Sequence, residues 1–174
     1  MDRRHFLKSA ALMTAATALQ TTCSKASNAL PNILFIYADD MGYGDVQALN
    51  PDSKIPTPNL NQLAAEGMVF TDAHTSSAVC TPSRYSALTG RYCWRSWLKK
   101  SVLFPPDDAP LIERERPTLA SLLKSKNYTT AILGKWHLGI EWARDENGEV
   151  DFNKDFSYGP TNVGFDTFYG VAAS

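Results

Sequence analysis

Two adjacent carboxylates, Asp39 and Asp40, directly follow a continuous apolar run near the start of the chain. Neighbouring carboxylates repel each other unless a cation or a buried base compensates their charge. Ca²⁺ and Mg²⁺ prefer oxygen ligands of this kind, so the pair is a candidate for part of a divalent-cation site. A solvated acidic turn is the alternative. Two ligands cannot complete a shell of about six or more oxygens, so further ligands must come from elsewhere.

Cys80 stands immediately before Thr81 and Pro82, a pair that is typical of a helix start. The N-terminus of a helix offers backbone N–H groups to an anion. Arg84, one turn further on, adds a forked cation that suits oxyanions. These residues predict an anion site beside a thiol. A buried cysteine, or a disulfide between Cys80 and Cys93, is the alternative.

Lys135 and His137 follow a second apolar, β-branched run. Residues two apart in an extended segment can point the same way. A lysine and a histidine together can bind an oxyanion and move a proton. The alternative is a surface lysine and a histidine satisfied in the core, with Trp136 and Leu138 as core anchors.

The elements that would position these residues alternate between strands and helices. Apolar runs predict strands at 32–38, 68–70 and 128–133. Two helices are predicted at 58–66 and at 81 to about 88, and Gly67 and Gly90 are expected to end them. A third helix is predicted after Thr118, with an apolar face formed by Leu119, Leu122 and Leu123. The segments 99–115, a surface connection, and 142–161 are expected to be irregular.

This alternation predicts an α/β fold, a mostly parallel sheet flanked by helices. Ligands of such sheets bind beyond the carboxyl ends of the strands. Two separate strands are expected to end in ionisable residues, first Asp39 and Asp40 and then Lys135 and His137. The topology alone therefore predicts a polar site at one edge of the sheet.

Residues 1–29 are interpreted as an export signal and are set apart from the fold. Arg3 and Arg4 begin a run that resembles the twin-arginine motif, although Asp2 stands where Ser or Thr is usual. A lipid anchor at Cys23 and an amphipathic N-terminal helix are the alternatives. The prediction is a domain over 30–174 that is exported to the periplasm or the extracellular space.

The composition is that of a globular protein, with 174 residues, net charge −1, 44% hydrophobic and 20% charged residues. It excludes a disordered tail and a strongly basic nucleic-acid binder. Without residues 1–29 the chain is mildly acidic, so we expect no nucleic-acid partner. No apolar run reaches the roughly 18 residues that span a bilayer.

Taken together, the motifs resemble those of type I, formylglycine-dependent sulfatases, which are arylsulfatase-like members of the alkaline phosphatase superfamily. The first signature of that family is matched by Cys80–Arg91, and the second by Tyr128–Gly139. Its opening strand and metal loop are matched by Pro31–Asp45. Asn127 stands where the second signature usually has Gly, which concerns a turn rather than the chemistry.

The resemblance implies a sulfatase/alkaline-phosphatase-like fold and a specific chemistry. Cys80 would be oxidised to formylglycine by a formylglycine-generating or sulfatase-maturating enzyme that recognises Pro82 and Arg84. One hydroxyl of the hydrated aldehyde attacks the sulfur of a sulfate ester, and the alcohol leaves. The other hydroxyl then loses its proton, which expels sulfate and restores the aldehyde.

The resemblance also assigns roles to the candidate residues. Asp39 and Asp40 would bind Ca²⁺, with Mg²⁺ the less favoured ion, and residue 80 would contact the same cation. Arg84 would steady the hydrated aldehyde. Lys135 would bind sulfate oxygens, and His137 would contact the diol and assist its proton transfer. Ser174 matches a serine near the sulfate.

Members of that family run to several hundred residues, and their C-terminal part supplies an Asp-Asn pair, a further His and a further Lys. We therefore expect this chain to be the N-terminal portion of the catalytic domain, incomplete at its C-terminus and inactive in isolation. The leading function is hydrolysis of a sulfate ester, with sulfated carbohydrates among the candidate substrates. A phosphonate or phosphodiester hydrolase of the same superfamily and a non-catalytic truncated product are the alternatives.

Overall fold

A computed structural model describes residues 30–104, 106 and 109–173. The predicted signal at 1–29, with Cys23, and the predicted substrate residue Ser174 lie outside the described residues. The described residues divide into two units, 30–38 and the residues from Asp39 onward. None of the described helices is long and apolar enough to span a membrane.

Three helices and two strands make up the regular structure of the described residues from Asp39 onward. They are α1 (Pro58–Glu66), α2 (Cys80–Thr89), α3 (Leu119–Lys124), β1 (Ala131–Lys135) and β2 (Thr167–Val171). Short 3₁₀ turns cover Tyr43–Asp45, Cys93–Arg95 and Pro160–Val163. The predicted helices are confirmed, and α2 ends at Gly90, whose φ of +65° is the left-handed conformation that glycine adopts at helix ends.

The two strands pair in parallel, with Ala131 opposite Thr167 and Lys135 opposite Val171. This pairing confirms the predicted α/β class with a parallel sheet. The sequence did not predict β2, because its residues are mostly exposed and include Gly170, so neither alternation nor a continuous apolar run marks it. A Cβ at Gly170 would overlap the carbonyl oxygen of Gly134, and only glycine lets the strands approach at this point.

Two of the predicted strands are wrong. Residues 32–38 and 68–70 have no strand structure, and their side chains are exposed, Leu34 by 85% and Phe70 by 70%. A strand exists only when a neighbouring strand pairs with its backbone, whereas an apolar run reports only on side chains. The strand predicted at 128–133 does form, but it begins and ends later than predicted, since it covers Ala131–Lys135.

The apolar face predicted for α3 is wrong as well. Ala120 is the buried residue of this helix, while Leu122 is 58% exposed. The helix is held through its first turn, where the Thr118 hydroxyl accepts a hydrogen bond from the Ser121 amide at 3.0 Å and donates one to the Val163 carbonyl at 2.5 Å. A helix of six residues can be fixed by its cap and one small side chain, without a leucine stripe.

The hydrophobic core includes Trp136 and Leu138, which follow β1 in the chain, and the segment 99–115 contributes to it. This segment is irregular, as predicted, but the prediction that it is a surface connection is wrong. Leu103, Leu111 and Ile112 are at most 2% exposed and belong to the cluster that contains Trp136 and Leu138. Isolated core residues in an aperiodic segment leave no pattern that a sequence reading can detect.

Asp166 joins the start of β2 to the residues around it. Its carboxylate accepts hydrogen bonds from the Thr130 amide at 2.9 Å, from the Thr130 hydroxyl at 3.0 Å and from the Lys124 ammonium. The Lys124 hydrogen bond, followed by those from Thr130, lowers the pKa of Asp166 from 3.8 to about 2. A carboxyl group with a lowered folded-state pKa stabilises the fold above its ordinary pKa and loses that contribution as the pH falls through the lowered value.

We therefore expect Asp166→Asn to be less stable than the unmodified protein near neutral pH. The difference in the free energy of unfolding should shrink as the pH falls from about 4 to about 2. Urea unfolding of both proteins at a series of pH values measures this difference. A difference that stays constant over that range would contradict the assignment.

Candidate active site

Asp39, Arg84 and Lys135 meet where β1 ends. One carboxylate oxygen of Asp39, Oδ2, lies 2.8 Å from Lys135 Nζ, and the other, Oδ1, lies 3.5 Å from Arg84 Nη2. Arg84 Nη1 also donates a hydrogen bond of 2.7 Å to the Lys135 carbonyl, which ties α2 to the end of β1. The sequence predicted each of these three residues for a polar site, and the structure brings them into contact.

The charge of this cluster is positive, because one carboxylate stands between two cations. The hydrogen bond from Lys135 is the largest cause that lowers the pKa of Asp39 below 3.8, and the charges of Lys135 and Arg84 act in the same direction. The Arg84 and Lys135 side chains are only 12% and 14% exposed, so water screens them little. Asp40, the next residue in the chain, is exposed and takes no part in these contacts, so the two shielded cations are the groups that suit an anionic ligand.

A closed ring of hydrogen bonds fixes His137 beside the start of α2. The Thr81 hydroxyl donates to the His137 carbonyl at 3.0 Å and accepts from the Leu103 amide at 3.2 Å. The third contact of the ring joins His137 Nε2 to the Leu103 carbonyl at 3.0 Å. All three residues are buried, and Thr81 is the immediate neighbour of Cys80.

This ring determines which nitrogen of His137 carries the proton. A carbonyl oxygen only accepts hydrogen bonds, so Nε2 must be the donor. In the neutral imidazole, Nδ1 then keeps its lone pair. His137 is 5% exposed, and its Nδ1 atom has no hydrogen-bond partner among the described residues. The alternative is a core histidine whose ring nitrogens are both hydrogen-bonded. Nε2 meets that description, but Nδ1 has no hydrogen-bond partner among the described residues.

The loop that carries His137 is held in an unusual conformation. His137 has φ of +55°, a left-handed value that is rare for a residue with a side chain and that clusters at functional sites. At Gly139, with φ of +77°, a Cβ would lie 2.7 Å from the Ala109 carbonyl oxygen, so only glycine fits.

Strand β2 and the core hold this loop in place. The Val171 and Ala172 carbonyls accept hydrogen bonds from the amides of Trp136 and His137 at 2.9 Å and 2.7 Å. Trp136 and Leu138 are 2% and 1% exposed, so both are core anchors as predicted.

Cys80 is the first residue of α2, half-buried and not bonded to another cysteine. The alternative of a disulfide to Cys93 is wrong, because Cys93 is also a free thiol. It is buried, with its Sγ 3.7 Å from the Leu98 carbonyl and 3.9 Å from Ser96 Oγ, and this burial raises the pKa of its thiol. Cys80 is therefore available for modification.

Asp39 and Asp40 are the two adjacent carboxylates of the site. Asp40 is exposed and has φ of +54°, which bends the chain immediately after Asp39. Adjacent, ionised carboxylates are the donor set of a hard cation such as Ca²⁺ or Mg²⁺, so the chemistry of the residues fits this ion class. Within the described ranges no three His, Cys, Asp or Glu residues form a group that could hold a metal by themselves.

Two residues of the site were missed by sequence reasoning. Thr81 lies inside the predicted helix start, and its hydroxyl bonds to a residue 56 positions away, which no local sequence pattern marks. Leu103 acts through its backbone amide and carbonyl, which every residue carries, so its side chain gives no signal.

Thr81→Val offers a direct test of the ring. The substitution keeps the shape of the side chain but leaves the buried Leu103 amide and His137 carbonyl without a partner. We expect the free energy of unfolding to fall by about 1–3 kcal/mol, as measured by urea denaturation. Thr81→Ser keeps the hydroxyl, so its free energy of unfolding should fall by clearly less. An equal fall in both variants would argue against the ring.

Comparison with family models gives two matches along the chain. Residues 31–174 match the Sulfatase family model. Residues 1–19 match the model of the twin-arginine translocation pathway signal sequence. The second match confirms the predicted export signal, and with it a location in the periplasm or outside the cell. The exact boundary at residue 29 stays a prediction.

The chain is also similar to characterised sulfatases. The N-acetylgalactosamine-6-O-sulfatase of Bacteroides thetaiotaomicron is 37% identical over 144 residues, which are 83% of this chain and 27% of that protein. Arylsulfatase A of Bos taurus is 40% identical over 164 residues, 94% of this chain and 29% of that protein. A solved structure from a study of glycosaminoglycan metabolism by Bacteroides thetaiotaomicron has a TM-score of 0.71 at 37% identity, and the match covers 83% of this chain and 28% of that one. The chain spans less than a third of the length of these relatives.

Proposed function

Because the chain belongs to the sulfatase family, we propose that it forms the part of a sulfuric ester hydrolase that carries the nucleophile and the sulfate-binding cations. Sulfatases act on sulfate esters and generally use a formylglycine and a divalent metal. The observation that carries the proposal is the positive cluster of Asp39, Arg84 and Lys135, tied to the helix that begins with Cys80.

Arg84 and Lys135 are the proposed anion-binding residues. Their charges exceed that of Asp39 by one, and both side chains are mostly shielded from water. Ammonium and guanidinium groups held in this way stabilise the negative charge that builds on sulfate oxygens as the ester bond breaks. Arg84 also contacts the Lys135 carbonyl, so the two cations are fixed relative to each other. Ser174 is proposed as a further contact of the sulfate.

His137 is the proposed general base. Its Nε2 atom is committed to the Leu103 carbonyl, which leaves the lone pair of Nδ1 to accept a proton. The Thr81 hydroxyl donates a hydrogen bond to the His137 carbonyl, and Thr81 directly follows Cys80 in the chain. This bond holds the backbone of His137 at the start of α2. We propose that Nδ1 takes the proton from the hydroxyl group at position 80 during turnover.

The two groups that complete this chemistry would be held by residues described above. Formylglycine would derive from Cys80 through a formylglycine-generating or sulfatase-maturating enzyme, and supplies a geminal diol as the nucleophile. Asp39 and Asp40 would bind Ca²⁺, preferred here over Mg²⁺, together with residue 80. The cation supplies positive charge that favours deprotonation of that nucleophile.

We propose a sulfated carbohydrate as the substrate class. One relative is by name an N-acetylgalactosamine-6-O-sulfatase, and the similar solved structure comes from work on glycosaminoglycans. The export signal places this chain where such polymers would be met. The same reasoning gives no role to a nucleic acid.

The test begins with the modification of Cys80. The protein is produced together with a formylglycine-generating enzyme, and the mass of the tryptic peptide Ile55–Arg84 is measured. We expect the lower mass that results when an aldehyde replaces the thiol, and an unmodified thiol throughout would overturn the proposal. Turnover of an aryl sulfate is then compared with that of an aryl phosphodiester in the complete protein. Preference for the phosphodiester would assign the chain to the phosphonate or phosphodiester hydrolases instead.

A further inference from the structure

The part of the chain that contains α2 and the residues after it is cationic, although the net charge of the whole chain is −1. Residues 73–106 contain five Arg or Lys residues and no Asp or Glu. Two of the five are matched by carboxylates from other segments. In the part of the chain that the structure describes, the other three form no ion pair: Arg95, Lys99 and Lys100. This surface therefore carries a local excess of positive charge without internal compensation.

Three large aromatic side chains lie among these cations. Tyr92, Trp94 and Trp97 are 54%, 56% and 51% exposed. The rings of Tyr92 and Trp94 stack with centroids 5.9 Å apart and planes inclined by 17°, and the Arg95 guanidinium lies 5.1 Å from the centre of the Trp94 ring. Clustered exposed aromatics beside cations are typical of a recognition surface. We name Tyr92–Lys100 the aromatic–basic segment.

Hydrogen bonds fix the shape of this segment. Ser96 Oγ donates to the Cys93 carbonyl at 2.6 Å and accepts from the Leu98 amide at 3.2 Å. Lys99 Nζ donates to the Trp94 carbonyl at 3.0 Å. A surface that is already ordered loses little conformational entropy when a ligand binds.

A cavity of about 170 Å³ adjoins the segment and the start of α2. Its lining includes Trp94, Lys99 and Lys100 of the segment, together with Val79 and Pro82. Val79 stands one residue before Cys80 and Pro82 two residues after it, so the cavity adjoins the stretch of chain that carries the proposed nucleophile. Its volume is well below the ~300–1,000 Å³ of pockets for drug-sized ligands, which favours a single ring as its occupant.

We propose that the aromatic–basic segment and this cavity bind the anionic sugar residues that neighbour the cleaved ester in a sulfated oligosaccharide. The inference rests on the proposed function and names the part of the chain that selects the substrate. Aromatic rings pack against the apolar faces of sugars, and the three cations pair with sulfate groups. An apolar aryl or sterol alcohol would leave those cations without a counter-charge.

Calorimetric titration of the full chain tests this proposal without turnover. The protein is produced without a maturing enzyme, so that Cys80 stays a thiol. The probe is a chondroitin 6-sulfate hexasaccharide, compared with the unsulfated hexasaccharide and with a single-stranded DNA of equal charge. The variants are Trp94→Ala and the double substitution Lys99→Ala with Lys100→Ala. A second double substitution, Lys54→Ala with Lys126→Ala, removes the same charge from exposed positions outside the segment.

We expect the association constant for the sulfated probe to fall about tenfold in the Lys99 and Lys100 variant, and also to fall in Trp94→Ala. It should stay unchanged in the Lys54 and Lys126 control. The proposal is overturned if both double variants lose the same share of their affinity for the sulfated probe. It is also overturned if the unsulfated sugar or the DNA binds as tightly as the sulfated probe, or if the protein without substitutions does not bind the sulfated probe. None of these results alters the mass and turnover outcomes that decide the proposed function. Circular dichroism of each variant verifies the fold.

Discussion

Cys80→Ala is expected to lower kcat for aryl sulfate hydrolysis in the complete protein by ~10⁴-fold or more. The reason is that the proposed nucleophile derives from this side chain, and no other described thiol can replace it. Cys93 is buried among Ser96 and Leu98, far less accessible than the half-buried Cys80 at the start of α2. Steady-state kinetics on protein matured under identical conditions provides the measurement.

The matched control for this variant is Cys93→Ala. It removes the other cysteine of the described residues and leaves the start of α2 intact. We expect kcat within a few-fold of the unmodified protein, with a modest loss of stability because a buried side chain becomes smaller. If Cys80→Ala retained activity, or if Cys93→Ala lost it to the same degree, the assignment of the nucleophile would fail.

His137→Gln is expected to lower kcat by ~10²–10⁴-fold while changing the free energy of unfolding little. The glutamine amide can reach the position of Nε2 and keep the donated hydrogen bond to the Leu103 carbonyl. It offers no group at the position of Nδ1, the atom that we propose as the proton acceptor. Kinetics and urea denaturation of the same preparation separate the two effects.

His137→Ala serves as the comparison, because it removes both ring nitrogens and leaves the Leu103 carbonyl unpaired. It should lose stability as well as activity, since a buried side chain and a buried hydrogen bond disappear together. Retention of full kcat by His137→Gln would show that Nδ1 does not accept the proton. A large loss of stability in the glutamine variant would instead contradict the assigned hydrogen bond.

The sequence allowed prediction of the parts of the site that depend on the charge and chemistry of individual side chains. Asp39, Arg84 and Lys135 were each singled out by charge and position, and all three are in contact. The start of α2, predicted at Thr81 and observed one residue earlier at Cys80, and its end before Gly90 follow from local rules for proline and glycine. Such features depend on a few neighbouring residues, so a single sequence contains the information.

The features that escaped prediction depend on distant parts of the chain. Leu103 supports His137 through its backbone and so could have been any residue. β2 exists because its Gly170 can approach Gly134, and this pairing joins segments separated by an irregular connection. The run 32–38 has the apolar character of a strand but no strand pairing, because pairing is a property of two segments and not of one.

The left-handed backbone at Asp40 has a consequence for directed evolution. A side chain at φ of +54° carries a backbone cost that glycine avoids, and the adjacent Asp39 adds carboxylate repulsion. Asp40→Gly would remove both costs, together with a proposed ligand of the cation. Selection of a variant library for thermal stability alone would therefore enrich glycine at position 40. The selected proteins would be more stable but catalytically inactive.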